Sequence, residues 1–252
     1  AVATVTAQII VLLILVTEIL RDHGEANVLH KIRLLSRPDI ACLKGVFRIG
    51  TPTALQGSLY CIISMILTRM VSGFGDGAIA VQRVGGQIES LSWNTADGFG
   101  SALNAFMGQN YGAGKKDRIF KSVRICLAMA VAVCGGIVLF LAIFCRPLFS
   151  IFTTDQNVIN IGIDMLRFMA PCYTIYVFIE VLSGALRGTG DVLLPTLITL
   201  GGVCLIRIPW IMFVLPAHHT TTCVMLSYPI SWITTTALII PYYLYRKKHA
   251  YD

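Results

Sequence analysis

Between positions 82 and 97 the chain places Gln82, Arg83, Gln87, Glu89, Ser90, Ser92, Trp93, Asn94 and Asp97 among apolar and small residues. Carboxylates in such company can hold a proton or a cation in turn, and amides beside them can line a water-filled cavity. At 100° per residue, Arg83, Gln87, Ser90, Asn94, Asp97 and Ser101 share one helical stripe about 80° wide, and Gln82, Glu89 and Trp93 form a second about 100° to its side. Such a helix is polar over half its circumference, which fits a cavity better than interhelical hydrogen bonding alone. Further along, Tyr173, Tyr176, Glu180, Ser183 and Arg187 follow one another at alternating spacings of three and four, a seam on one helix face. Glu180 either closes a salt bridge to Arg187 or Arg83 or binds a proton or cation reversibly; the spacing supports both equally. Asp164 and Arg167 are three apart and can pair on a helix surface.

The elements that must carry these residues follow from composition. The chain has 252 residues, 56% hydrophobic and 13% charged, with a mean hydropathy of +0.74. Soluble domains run near a quarter charged, so this balance excludes them, along with disordered chains and small disulfide scaffolds. Apolar runs such as residues 9–16 do not alternate, which excludes a membrane β-barrel. The fold class is an all-α membrane protein. Apolar stretches fall at residues 1–20, 46–71, 78–107, 120–144, 158–186, 193–215 and 222–245. A polar, amphipathic segment, residues 21–45, reads as a surface linker joining one helix to a block of six, with a basic tail at 246–252. The chain opens without Met inside an apolar run and lacks a charged n-region, which reads as the interior of a span rather than a signal peptide.

Basic residues give the orientation. Arg21, Lys31, Arg33, Arg37, Lys44 and Arg48, then Lys115, Lys116, Arg118, Lys121 and Arg124, then Arg187, and finally Arg246, Lys247 and Lys248 all fall to one side. Only Arg146 lies in the loops of the other. Linker and C-terminus are therefore expected on the cytoplasmic side, and the net charge of +7 reflects topology rather than nucleic-acid binding. Prolines 52, 171, 195, 209, 229 and 241 fall within spans; Pro52, Pro171 and Pro209 are the candidate hinges. Gly184-x-x-x-Gly188 permits close helix packing. The eight cysteines form no C-x-x-C pair and read as small membrane-helix residues. His218–His219 has no Cys or carboxylate nearby to complete a metal set, the serines have no neighbouring His to activate them, and Gly73-Phe-Gly-Asp-Gly77 lacks the strand–helix setting of a phosphate loop. No metal, organic cofactor or enzyme activity is expected.

Particular strings go further than composition. Gly50-Thr-Pro52 opens a span, Ala80-Val-Gln82 follows the start of the next, and Gln87-Ile-Glu-Ser90 comes a turn later. Gly108-Gln-Asn-Tyr-Gly-Ala-Gly114 lies in a basic loop and Leu186-Arg-Gly-Thr-Gly-Asp191 between later spans. In order and spacing the chain resembles, over essentially its whole length, the C-terminal lobe of the multidrug and toxic compound extrusion (MATE) family, closer to its DinF-like branch than to its NorM-like one. The resemblance implies a twelve-helix protein of two pseudo-symmetric six-helix lobes that exports organic cations in exchange for Na⁺ or H⁺ across the bacterial inner membrane. The first span would be the last helix of the N-lobe, and the partner would be the N-terminal lobe of the same polypeptide. NorM-type members carry a Glu eight residues after the Gly-x-Pro proline, and here that position is Tyr60. Their later-helix Asp falls near Tyr176, so that ion site does not carry over. The key Asp of the DinF-like branch lies in the first N-lobe helix.

The expected cavity therefore rests on the residues themselves: Gln82, Arg83, Gln87, Glu89, Asn94, Asp97, Tyr176 and Glu180. One or more of Glu89, Asp97 and Glu180 would alternate between an amphipathic cationic substrate and the coupling ion. A lipid-linked saccharide flippase is an alternative if Arg69, Arg83 and Arg207 converge, and a membrane scaffold or receptor is another if the polar stripes are only interhelical glue.

Overall fold

A computed structural model describes residues 2–21, 40–217 and 220–249. The chain divides into two units, Ala1–Phe47 and Arg48–Asp252. In the first, α1 (Val2–Arg21) is a 20-residue apolar helix whose Ile9, Leu12 and Leu15 side chains are exposed. Residues 22–39 of the expected linker, and the His218–His219 pair, lie outside the described residues.

The second unit holds α2 (Ile40–Ser72) from Arg48 onward, α3 (Asp76–Gly112), α4 (Lys116–Phe152), α5 (Gln156–Gly188), α6 (Leu193–Val214) and α7 (Thr221–His249). A helix of 33 residues such as α5 is about 50 Å long, enough to cross a hydrocarbon core of about 30 Å. By length and composition α2, α4, α5, α6 and α7 can each cross a membrane. Helix α3 is as long as α4, at 37 residues, but its two polar stripes lower its hydropathy. The outward faces carry Met65, Leu139, Ile143, Leu205 and Phe213, all exposed, a surface suited to lipid. One apolar cluster joins Leu103, Val123, Val181 and Ile239, a second joins Ile88, Phe149, Leu166 and Trp232, and a third joins Ile63, Leu67, Ile211 and Leu215.

Short turns alternate the helix directions, so α3 and α5 run parallel. They meet backbone to backbone: a Cβ on Gly184 would lie 2.2 Å from the Gly100 carbonyl oxygen, and one on Gly188 would lie 2.5 Å from that of Asn104. The Gly184-x-x-x-Gly188 pattern is thus a helix–helix seam. The turns before α4 and α6 pass through Gly114 at φ 66° and Gly190 at φ 86°, left-handed conformations that only glycine adopts without strain.

Several boundaries differ from the sequence expectation. The Gly108–Gly114 string is mostly helical, because α3 continues to Gly112 and the Asn110 amide donates back to the Phe106 carbonyl at 2.8 Å. Helix α4 continues beyond residue 144 to Phe152 through a kink at Phe144 (φ −99°, ψ 15°). Pro147 causes it, since its ring crowds the preceding turn, and the buried Phe149 anchors the far side. Pro195 does not interrupt a span; it sits in the first turn of α6, where its missing N–H has no helical acceptor to lose. Helix α6 is α-helical over Leu193–Gly202 and π-helical at Val203–Arg207 and Trp210–Val214, with Pro209 between the two wide turns. Pro52 and Pro171 lie inside α2 and α5.

Candidate functional site

The glycine seam decides what the polar stripes of α3 face. Docking Gly100 on α5 turns Gln82, Glu89 and Trp93 toward the bundle and leaves Arg83, Gln87, Asn94 and Asp97 exposed. The eight expected cavity residues are accordingly divided.

Gln82, Arg83, Gln87 and Glu89 line a cleft of about 430 Å³ between α2, α3, α5 and α7, with Met165, Met169 and Tyr228 among its apolar walls. Glu89 is 9% exposed, and its Oε1 has no hydrogen-bond partner. The Tyr173 hydroxyl and the Trp93 indole N–H point at the carboxyl group, although neither Oε1 nor the Tyr173 hydroxyl is aligned in a hydrogen bond. A buried carboxylate oxygen without a hydrogen bond is costly until a proton or a cation joins it.

Tyr176 lines a second chamber, about 270 Å³, which shares Ser64 and Tyr228 with the first. Its aromatic wall is continuous: Trp93 lies 4.4 Å from Tyr176 and 5.2 Å from Trp232 between ring centroids, and Tyr228 lies 5.9 Å from Trp232. Opposite, the Gln56 amide donates to the Thr199 hydroxyl at 2.9 Å and to the Tyr60 hydroxyl at 3.3 Å. Arg207 also lines this chamber.

Asp97 lies in a third cleft, about 680 Å³, with Ser101, Asn104 and Arg187. Glu180 accepts from the Tyr176 hydroxyl at 2.9 Å and pairs with Arg187 at 3.5 Å, so its carboxylate is already engaged. Arg187, rather than Arg83, is its partner. Asn94 is exposed and lines none of these three clefts. Arg69, Arg83 and Arg207 sit in separate clefts and do not converge. Gln56, Thr199, Tyr228 and Trp232 were not singled out from the sequence. The i,i+4 spacing of Gln56 with Tyr60 and of Tyr228 with Trp232 carried the signal, masked because each pair sits in an apolar run.

At the other end of the bundle Asp191, in the turn before α6, accepts from the Tyr242 hydroxyl. It also forms an ion pair with Arg246 at 2.9 Å, although the Arg246 Nε–H is not aligned for a hydrogen bond. The Lys247 ammonium lies 5.1 Å from the Phe120 ring centroid. These contacts gather the basic ends of α4, α5 and α7 on one face.

Long helices with apolar outer faces, packed around polar clefts, define a multi-pass membrane bundle of the transporter type. The chain belongs to the MatE family, whose model matches residues 52–213, a family of membrane transporters. It is 24% identical over 253 residues to the probable multidrug resistance protein YoeA of Bacillus subtilis, covering 98% of this chain and 54% of that protein. It is 30% identical over 174 residues to a probable multidrug resistance protein NorM of Thermotoga maritima, covering 68% of this chain and 37% of that one. An outward-facing multidrug resistance MATE transporter of the MOP superfamily superposes with a TM-score of 0.74 at 20% identity, over 82% of this chain and 46% of that one. The chain therefore spans about half the length of YoeA and of the transporter of known structure.

Proposed function

We propose that this chain forms the last helix of an N-terminal lobe (residues 1–20), an inter-lobe linker (21–45), a six-helix C-terminal lobe (46–245) and a basic tail (246–252) of an efflux transporter in the bacterial plasma membrane. The basic face, with linker and C-terminus, lies in the cytoplasm. The transporter exports amphipathic cations in exchange for Na⁺ or H⁺. The observation that carries this reading is Glu89: a buried carboxylate with an unpartnered oxygen, facing Tyr173 and Trp93 in a cleft of about 430 Å³.

The mechanism is competition for one charge. With Glu89 ionised, the cleft attracts an organic cation through the carboxylate and the aromatic faces. A proton or Na⁺ arriving from outside cancels that field, lowers the substrate's affinity and releases it; the same linkage requires the substrate to displace the ion on the inner side. Rocking of this lobe against its partner would expose the site to each side in turn.

The test is ethidium efflux from cells expressing the complete transporter. Glu89→Gln keeps the shape and removes the charge, and efflux is expected to fall at least tenfold at unchanged membrane abundance. Efflux at the wild-type rate would remove Glu89 from the transport site.

A further inference from the structure

Arg207 is a buried charge whose partners are all neutral. It ends the π-helical turn Val203–Arg207 and is 8% exposed. One Nη donates to the Ser231 hydroxyl at 2.8 Å, and the guanidinium carbon lies 4.1 Å from the Tyr228 ring centroid. Its Nε has no hydrogen-bond partner. No carboxylate among the described residues pairs with it. A guanidinium held at membrane depth by one hydroxyl and one ring is costly unless an anion joins it.

The chamber around it is shaped for such an anion. The π-helical widening of α6 brings Arg207 to the wall of the chamber of about 270 Å³, and wide turns of this kind recur at binding sites. Trp93, Tyr176 and Trp232 form one wall and offer ring faces and edges to a flat ligand. The Tyr60 hydroxyl, whose oxygen accepts from Gln56, also lines the chamber. The planar guanidinium fork matches a carboxylate in two hydrogen bonds at once.

We propose that this chamber is a binding subsite for a small planar aromatic carboxylate, with Arg207 as its counter-ion. The site is separate from the Glu89 carboxylate, although Tyr228 and Ser64 wall both clefts, and its charge is the opposite one. A substrate or effector read here carries an acid group on a fused or single aromatic ring.

The experiment is calorimetric titration of the complete transporter in detergent with 2-naphthoate, its neutral analogue 2-naphthamide and the cation 2-naphthylmethylammonium. Naphthoate is expected to saturate one site and to bind at least tenfold more tightly than the amide or the ammonium compound, the discrimination of one charge-assisted contact. Arg207→Gln should abolish that preference and Arg207→Lys should keep part of it. The three-ligand series in the unaltered protein needs no variant to fold. Equal binding of all three probes, no naphthoate binding, or a preference that survives Arg207→Gln would each overturn the proposal. Because binding in detergent requires no transport, the outcome is independent of whether Glu89 couples efflux to an ion.

Discussion

Glu89 and Glu180 carry the same functional group into the same bundle and meet different fates. Glu180 finds a phenol on its own helix and an arginine two turns later, so its charge is already answered. Glu89 has an oxygen with no partner. Glu180→Gln is therefore expected to leave ethidium efflux within about twofold of wild type while lowering stability by about 1 to 3 kcal/mol, the usual cost of losing a hydrogen bond to a charged group; a thermal melt of the purified transporter checks it. A loss of efflux equal to that of Glu89→Gln would return Glu180 to the transport site. Both carboxylates were visible in the sequence, and the four-residue step from Tyr176 to Glu180 predicted that those two share a face. Which one was left unpaired was not visible, because that depends on where the neighbouring helices put their donors.

Helix packing works through what is missing from the side chains. With the Gly184 Cβ position 2.2 Å from a backbone oxygen of α3, the two helices must separate or shift to admit even a methyl group. Gly184→Ala should cost about 3 kcal/mol, the upper part of the range for overpacking, and Gly184→Val should abolish folded protein. Gly136, on α4, has open space around its Cβ position, and Gly136→Ala should be neutral or stabilise by up to about 1 kcal/mol through helix propensity alone. Melting temperatures by fluorescence-detected size exclusion separate the two; equal effects would mean that the seam is looser than described. The kink before Pro147 belongs to the same scale. The apolar stretch read from the sequence ends at residue 144, and the helix continues past it because burial of Phe149 outweighs one lost backbone hydrogen bond.

Across the whole molecule, the exposed stripe of Arg83, Gln87, Asn94 and Asp97 is a polar surface on a bundle whose other outer faces are apolar. Such a surface does not suit lipid; in the proposed two-lobe transporter it faces the partner lobe across a water-filled passage. Single cysteines at positions 87, 94 and 97 of the complete, otherwise cysteine-free transporter are expected to react with a membrane-impermeant maleimide. Cysteines at the buried positions Ser92 and Leu103 should resist it. Protection of the first set in the assembled protein would show a dry interface instead. The Asp191–Tyr242–Arg246 contacts hold the end of α7 against the turn before α6, on the face where the lysines cluster.

Taken alone, the sequence determined that the chain is helical and made for a membrane, where its long helices run, which one is polar and which family it resembles. Composition, periodicity and basic-residue bias are local properties, and the bilayer constrains them strongly enough to be read directly. The tertiary structure alone distributed the expected cavity residues over three clefts, two of which share Ser64 and Tyr228, and left Asn94 outside them. It also decided that Glu180 is paired while the Glu89 Oε1 lacks an aligned hydrogen bond, and that Arg207 is buried beside an aromatic wall. Those outcomes depend on the rotation of α3 about its own axis and on the widened turn of α6. Both are set by backbone contacts between residues far apart in the chain, which no helical period encodes.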